Sequence, residues 1–188
     1  CHLRLGVADQ VGGGIYLGWS DAVVEACVIS GNLSGNRGGG IFTEGGDPLI
    51  QDCVITGNWG YSGGGVCFGG TGTSLLRACT VAGNLGSYGG GLRAYSSSPF
   101  VLERCIVWGN CSFIAGDEIY ASVGELRCCV VDSTGVDGST HNVTYDEYCR
   151  FTDPAFCDPS GCGWTVNGDW TLEAGSICLA ENSPCGER

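Results

Sequence analysis

The sequence predicts an all-β solenoid, a parallel β-helix of about five coils of 26 residues with a disulfide-rich C-terminal cap. Three observations predict it. Cysteines recur at Cys1, Cys27, Cys53, Cys79 and Cys105, 26 residues apart each time. Gly-Asn pairs keep the same step, at Gly31-Asn32, Gly57-Asn58, Gly83-Asn84 and Gly109-Asn110. Glycine triplets open the units, beginning at Gly12, Gly38, Gly63 and Gly89. A fixed period of roughly 20 to 50 residues marks a stacked repeat architecture.

One unit, residues 38–58, reads GGGIFTEGGDPLIQDCVITGN. Ile41 follows the triplet, Leu49 and Ile50 precede the cysteine, and Val54 and Ile55 follow it. The same columns hold Val23, Val24, Val28 and Ile29 one unit earlier, and Leu75, Leu76, Thr80 and Val81 one unit later. Short β-branched or leucine runs bounded by Gly, Asn, Asp and Ser are strand signals. Three strands and three turns are expected per unit. Stacked strands give parallel sheets with about 4.8 Å between coils. A lone coil cannot bury its apolar face, so the stack makes the core.

The glycines serve tight corners that need positive φ or close backbone approach. No helix follows the triplets and no Gly-Lys-Ser/Thr appears, which sets aside a phosphate cradle. Asn32, Asn58, Asn84 and Asn110 tolerate the left-handed region, and each side-chain amide can bond to the Asn one coil away. The cysteine column, completed by Cys129, has two readings. Buried thiols pack as small hydrophobes. Alternatively, neighbours pair vertically, because the coil spacing falls inside the usual Cα range for a disulfide.

The totals narrow the class. The chain has 188 residues, enough for one domain with a real core. Eight basic residues, all Arg, face 20 acidic ones, for a net charge of -12. That balance argues against nucleic acid or an anionic membrane as partner. Fourteen cysteines point to an oxidising compartment, extracellular or at the cell surface. Metal is the rival reading of many cysteines, but no C-x-x-C pairing occurs and there are two histidines, so no cofactor or metal is expected. No stretch is long and apolar enough to cross a membrane.

Along the chain, Cys1 already lies in the ladder column, so the sequence opens in mid-coil. A lipoprotein anchor is the other reading of a first-residue cysteine. Coils run to about Asn110. The fifth is altered: 116–120 reads GDEIY where GGGLR stood, Cys128 is an extra outward neighbour of Cys129, and Asp132-Ser133-Thr134 replaces the Gly-Asn turn. Residues 1–134 are therefore read as the repeats. Residues 135–188 are read as a Cys-rich cap adding an irregular coil, with strands at 148–151 and 170–172. Its cysteines, Cys149, Cys157, Cys162, Cys178 and Cys185, are expected to be disulfide-bonded, with a connectivity that spacing does not give.

The repeats resemble the right-handed parallel β-helix repeats of secreted bacterial proteins. They are also similar to the GGA(I/L/V) repeats of chlamydial polymorphic outer-membrane proteins, without the companion Phe-x-x-Asn motif. The tail from Asp153, DPAFCDPSGCGWTVNGDWTLEAGSICLAENSPCGER, is similar to the end of many such bacterial proteins. The resemblance implies the right-handed hand and a surface or secreted role.

Candidate chemistry lies on the outer faces. The paired Asp, Asn-Thr-Asp and Gly-His-Gly segments of pectin hydrolases are absent, and a lyase base would have to be found without Lys. Glu25, Asp52 and Glu103 are the carboxylates to consider as a cross-coil pair; the simpler reading is a solvated face. His2 and His141 lack a nucleophile partner. An outward column of Tyr16, Phe42, Cys67, Arg93 and Tyr120 either stacks on sugar rings or covers the sheet. The sequons at Asn32, Asn110 and Asn142 are read as accidental. The expectation is a non-enzymatic extracellular rod that stacks head to tail on itself, as a filament or adhesive fibre. The alternative is a β-helix that binds or cleaves carbohydrate, with surface polysaccharide as partner.

Overall fold

The computed structural model describes residues 1–95, 97–137, 142–159, 161–162 and 169–179. The chain winds into a parallel β-solenoid in which each full coil gives one strand to each of four sheets. The first sheet stacks His2–Arg4, Val28–Ser30, Val54–Thr56, Thr80–Ala82, Ile106–Trp108 and Val130–Val131. The second stacks Val7–Ala8, Leu33–Arg37, Trp59–Ser62, Leu85–Tyr88 and Cys111–Ala115. The third runs Ile15–Gly18, Ile41–Glu44, Val66–Gly69, Leu92–Ala94, Ile119–Tyr120 and Val136–Asp137. The fourth runs Val23–Glu25, Leu49–Gln51, Ser74–Arg77, Phe100–Glu103, Val123–Arg127 and Asn142–Tyr145.

Four strands per coil replace the three expected. The extra strand follows the Gly-Asn turn, where sequences such as LSGNR and WGYS carry no apolar run to announce it. Pairing with the coil below, not burial of its own side chains, makes it a strand. The register is that of the 26-residue period: Val28 lies beside Val54 and Val54 beside Thr80. The inner columns Ile29–Ile55–Val81–Val107–Val131, Ile50–Leu76–Leu102–Leu126 and Ile41–Val66–Leu92–Ile119 are buried and form one continuous core. Burying each such side chain contributes about 1.5 to 3 kcal/mol.

The corners explain the glycines. Gly38 has φ +63°. A Cβ on Gly39 would strike the carbonyl oxygens of Trp59 and Gly64, both backbone. The turn before each ladder cysteine holds a second left-handed column that carries no glycine: Ala26, Asp52, Ala78, Arg104 and Cys128 have φ 50°, 53°, 49°, 54° and 55°. The ladder asparagines are not left-handed. The glycine before each one is, as at Gly57 with φ +61°.

Parallel pairing continues past residue 134. Val136–Asp137 pairs with Ile119–Tyr120, Asn142–Tyr145 pairs with Val123–Arg127, and Arg150 bridges to Val130. The strand expected at 148–151 is reduced to that bridge. The one expected at 170–172 lies within Asp169–Leu172, antiparallel to Phe156–Asp158. This hairpin does not add a coil. It folds back over the first sheet, where outward Ala82, Ile106 and Val130 need cover and pack with Phe156, Trp170 and Cys178.

Cys1 and Cys27, ladder neighbours with Cα atoms 4.5 Å apart, form a disulfide. Cys111 is bonded to Cys162, and Cys128 is disulfide-bonded too. Three cap cysteines differ from expectation, among them Cys178, a buried thiol packed against Ala82, Ile106 and Val130. Cys157 is an exposed thiol, and Cys149 is a buried thiol that extends the ladder: the Cys129 N–H donates to its sulfur at 3.3 Å. The shortened last coil brings Cys149 over Cys129, so it packs in the core and is not a staple. Cys185 and His141 lie outside the described residues. Among the described residues no helix is long and apolar enough to cross a membrane.

Candidate functional site

Two side-chain ladders occupy the interior. Asn32 donates its backbone N–H and its side-chain amide to Asn58 Oδ1, both at 2.9 Å. Asn58 donates in the same way to Asn84, and Asn84 to Asn110. Each Nδ2 also donates to a carbonyl of the preceding coil: Asn58 to Ile29, Asn84 to Ile55 and Asn110 to Val81, all at 2.9 Å. At the far end Glu118 takes the place of a further Asn. Its Oε1 accepts the Asn110 N–H at 3.2 Å and its Oε2 accepts the side-chain amide at 2.6 Å. Glu118 lies beside the last glycine of the preceding triplet, Gly91, where an added Cβ would meet Asn110 Nδ2. Burial pushes the Glu118 carboxyl up to about 7 despite those bonds. In the cysteine ladder, Cys79, Cys129 and Cys149 each donate to a carbonyl about one coil away, of Ile50, Leu102 and Leu126, at 3.4 Å. Cys105 donates likewise to Leu76 at 3.5 Å. Both ladders are structural, closed from solvent and filled.

Function must therefore lie on the outer faces. On the fourth sheet the register puts Glu25, Gln51, Arg77, Glu103 and Arg127 in one row. Asp52 does not join it. The 26-residue step places Asp52 beside Ala26 in the left-handed corner, so Glu25 faces Gln51 instead. Glu25 Oε1 accepts from Gln51 Nε2 at 2.7 Å. Glu103 lies between Arg77 and Arg127, each at 3.0 Å, and Arg127 also holds Glu125 at 2.8 Å. Three coils at about 4.8 Å put Glu25 and Glu103 about 14 Å apart, beyond the roughly 5 to 9.5 Å of glycosidase pairs. The Arg127 bond lowers the Glu125 carboxyl, the opposite of what a proton-donating acid needs.

The column after the triplets forms as the spacing implied, Tyr16 beside Phe42, Phe42 beside Cys67, Cys67 beside Arg93 and Arg93 beside Tyr120. Its members differ in exposure. Tyr16 is 47% exposed, whereas Phe42 and Cys67 are buried although they point outward. Arg37, from the second sheet, and Arg93 cover them. The Arg37 guanidinium lies 5.7 Å from the Phe42 ring and 5.2 Å from Tyr95. That of Arg93 lies 4.1 Å from Tyr120, 5.0 Å from Tyr95 and 5.4 Å from Tyr88. Arg37 and Tyr95 were not legible as site residues. Arg37 closes a strand without an apolar run, and Tyr95 lies past the strand that carries Arg93.

Two recesses accompany this corner elsewhere on the surface. One, of about 350 Å³, is lined by Leu33, Trp59, Leu85 and Phe113 on the second sheet. The other, about 330 Å³, lies under the folded-back hairpin between Trp108, Phe156, Trp170 and Asp153. Of the sequon residues, Asn32 and Asn110 are buried in the ladder and Asn142 is exposed.

The model of the right handed beta helix region matches residues 6–156, and the structure is a parallel β-solenoid over the same stretch. The chain belongs to the right-handed β-helix family. Searches of curated proteins and of solved structures give no match. For this β-helix the family therefore settles architecture, and the outer faces carry what can be argued about function. Three faces of the β-helix are distinguishable: the charged row of the fourth sheet, the arginine–aromatic corner between the second and third sheets, and the first sheet under the hairpin.

Proposed function

We propose that the chain is a non-enzymatic extracellular structural protein, a β-helix rod that stacks end to end into a surface filament or adhesive fibre. The observation that carries the reading is the use made of the outward carboxylates. Glu25 is held by Gln51, and Glu103 by Arg77 and Arg127, so the row ties coil to coil. End-to-end stacking is supported by the strands His2–Arg4, Val7–Ala8, Ile15–Gly18 and Val23–Glu25. Among the described residues each is paired on one edge only, with Leu5, Val7, Trp19 and Val23 exposed around them. A further coil, from the same polypeptide or from a second copy, fits that edge by strand addition. A head-to-tail contact between copies does not close on itself and gives a filament. The disulfides suit an oxidising compartment outside the cell.

Negative-stain microscopy and sedimentation at micromolar concentration test the filament. Fibres are expected, and separate monomeric particles at every concentration would overturn it. Turnover of polygalacturonate or alginate that is lost in Glu25→Gln or Glu103→Gln would overturn the non-enzymatic reading.

A second reading, a β-helix that binds carbohydrate, is favoured by one observation. Tyr16 and Tyr61 present exposed rings on either side of the arginine–aromatic corner, and aromatic rings with one wet edge suit sugar faces.

A further inference from the structure

We propose that the corner between the second and third sheets binds an oxyanion, a carboxylate or sulfate carried on a saccharide chain, through the guanidinium groups of Arg37 and Arg93, which both contact the Tyr95 ring. The proposal rests on the carbohydrate-binding reading and specifies its chemistry.

The first support is an anomaly of charge. Acidic residues outnumber arginines 20 to 8, so an arginine on this surface has carboxylates to choose from. Arg77 and Arg127 take them. Arg150 donates to the carbonyls of Glu147 and Cys149. Among the described residues the side chains of Arg37 and Arg93 make neither an ion pair nor a hydrogen bond, and they are the two that share one ring, Tyr95. Nor does Cys67 between them supply a negative charge: burial pushes its thiol up to about 12, so it is neutral at physiological pH.

The second support is geometric. The Nε of both arginines and Nη1 of Arg93 are buried without an acceptor. Their cost is offset in part by the ring faces beneath, a cation–π contact contributing about 0.5 to 2 kcal/mol. The Arg93 guanidinium carbon lies 4.1 Å from the Tyr120 ring centroid, so the ring restrains the group. Arg37 Nη1 and Nη2 and Arg93 Nη2 keep contact with solvent and have no protein partner. A planar guanidinium held in advance by rings loses little freedom when it binds a carboxylate or sulfate in a fork. The exposed edge is thus an oxyanion receptor with its orientation already set.

Tyr16 and Tyr61 make the site elongated. Tyr16 stacks on Phe42 at 5.6 Å and its hydroxyl donates to Glu44 at 2.6 Å. Tyr61 meets Tyr88 edge-on at 5.9 Å. Tyr16 lies one coil before Arg37, and Tyr61 lies in the coil between those of Arg37 and Arg93, an alternation of rings and cations along the stack that fits a chain with repeated apolar faces better than a free ion.

Isothermal titration of the full chain decides the matter, with three oligosaccharides of matched length as probes: a uronate, a sulfated sugar and a neutral one. Binding of a charged probe is expected, weakening as salt rises, with the neutral probe at least tenfold weaker; the uronate and sulfate arms identify which oxyanion is preferred. Arg93→Gln and Arg37→Gln should each weaken the charged probe at least tenfold, Arg93→Lys by less, and Arg127→Gln on the fourth sheet not at all. Circular dichroism checks folding. If Arg93→Gln does not fold, Arg37→Gln and the salt dependence carry the test. Equal binding of neutral and charged probes, unaffected by the arginine variants, would overturn the proposal and leave carbohydrate binding standing. No binding of any probe would overturn both.

Discussion

Asn110 donates both its backbone N–H and its side-chain amide to the carboxylate of Glu118, eight residues further on and only 3% exposed. Glu118 thus ends an amide ladder with an ionisable group, and it ties stability to pH. Its folded value is raised to about 7 from an ordinary 4.5, because burial disfavours the charge. The folded protein then binds the proton more tightly than the unfolded chain does. The associated stability is fully present below about pH 4.5 and is lost as pH rises through about 7. A shift of this size corresponds to about 3 kcal/mol. Glu118→Gln keeps an amide oxygen for the ladder and removes the titration. Urea denaturation between pH 4 and pH 8 should show the wild type weakening across this range, with the variant flat. Equal slopes would refute the assignment.

Asn84→Ala should lower stability by about 3 kcal/mol. It leaves the buried Asn58 N–H without its acceptor, takes one bond from the Asn58 side chain, and removes the side-chain amide that donates to Asn110 and to the Ile55 carbonyl. Each buried polar group left unmade costs about 1 to 3 kcal/mol. Chemical denaturation checks the value; a change below 1 kcal/mol would mean water fills the gap.

A left-handed corner without glycine and a crowded corner glycine should respond with opposite signs. Ala78→Gly relieves a side chain held at φ 49° and should stabilise by about 0.5 to 1 kcal/mol, after the greater freedom of glycine in the unfolded chain is counted. Gly39→Ala drives a Cβ into the Trp59 and Gly64 carbonyls and should cost about 2 to 3 kcal/mol. Midpoints of thermal unfolding moving in the same direction would contradict this account.

Alkylation followed by mass spectrometry tests the cysteine states. In the native protein Cys157 should react, whereas Cys53, Cys79, Cys129 and Cys149 should react after denaturation only. Cys1, Cys27, Cys111 and Cys162 should react only after reduction. Native labelling of Cys149 would remove it from the ladder.

Much of this fold was legible because the signal is a period. A step of 26 residues assigns Val28 to Val54 and Asn58 to Asn84 without any knowledge of the turns between them. What escaped lies where the period is broken or silent. Cys149 follows Cys129 by 20 residues, so its ladder position is hidden by the shortened coil. Glu118 reaches Asn110 across a corner, at a spacing of eight. The strands of the second sheet exist through backbone pairing and leave no hydrophobic trace. The 26-residue step puts Gln51, not Asp52, beside Glu25, so one position of register decides whether a carboxylate pair exists. The arginine–aromatic corner required knowing that two sheets meet at the triplets.

The placement of the disulfides bears on how such a rod comes apart. In a stack where each coil touches only its neighbours, unravelling begins at an outermost turn and travels inward, because peeling one turn costs one interface. Cys1–Cys27 clasps the first two turns to each other, and Cys111–Cys162 ties the fifth to the folded-back hairpin, with Cys128 of the same turn cross-linked as well. The turns carrying Cys53 and Cys79 have thiols in the ladder. Covalent clasps therefore flank the middle turns, which are left to non-covalent cohesion. A middle turn lying between clasped ones has to open against two interfaces at once, and a reductant frees the flanking turns to peel.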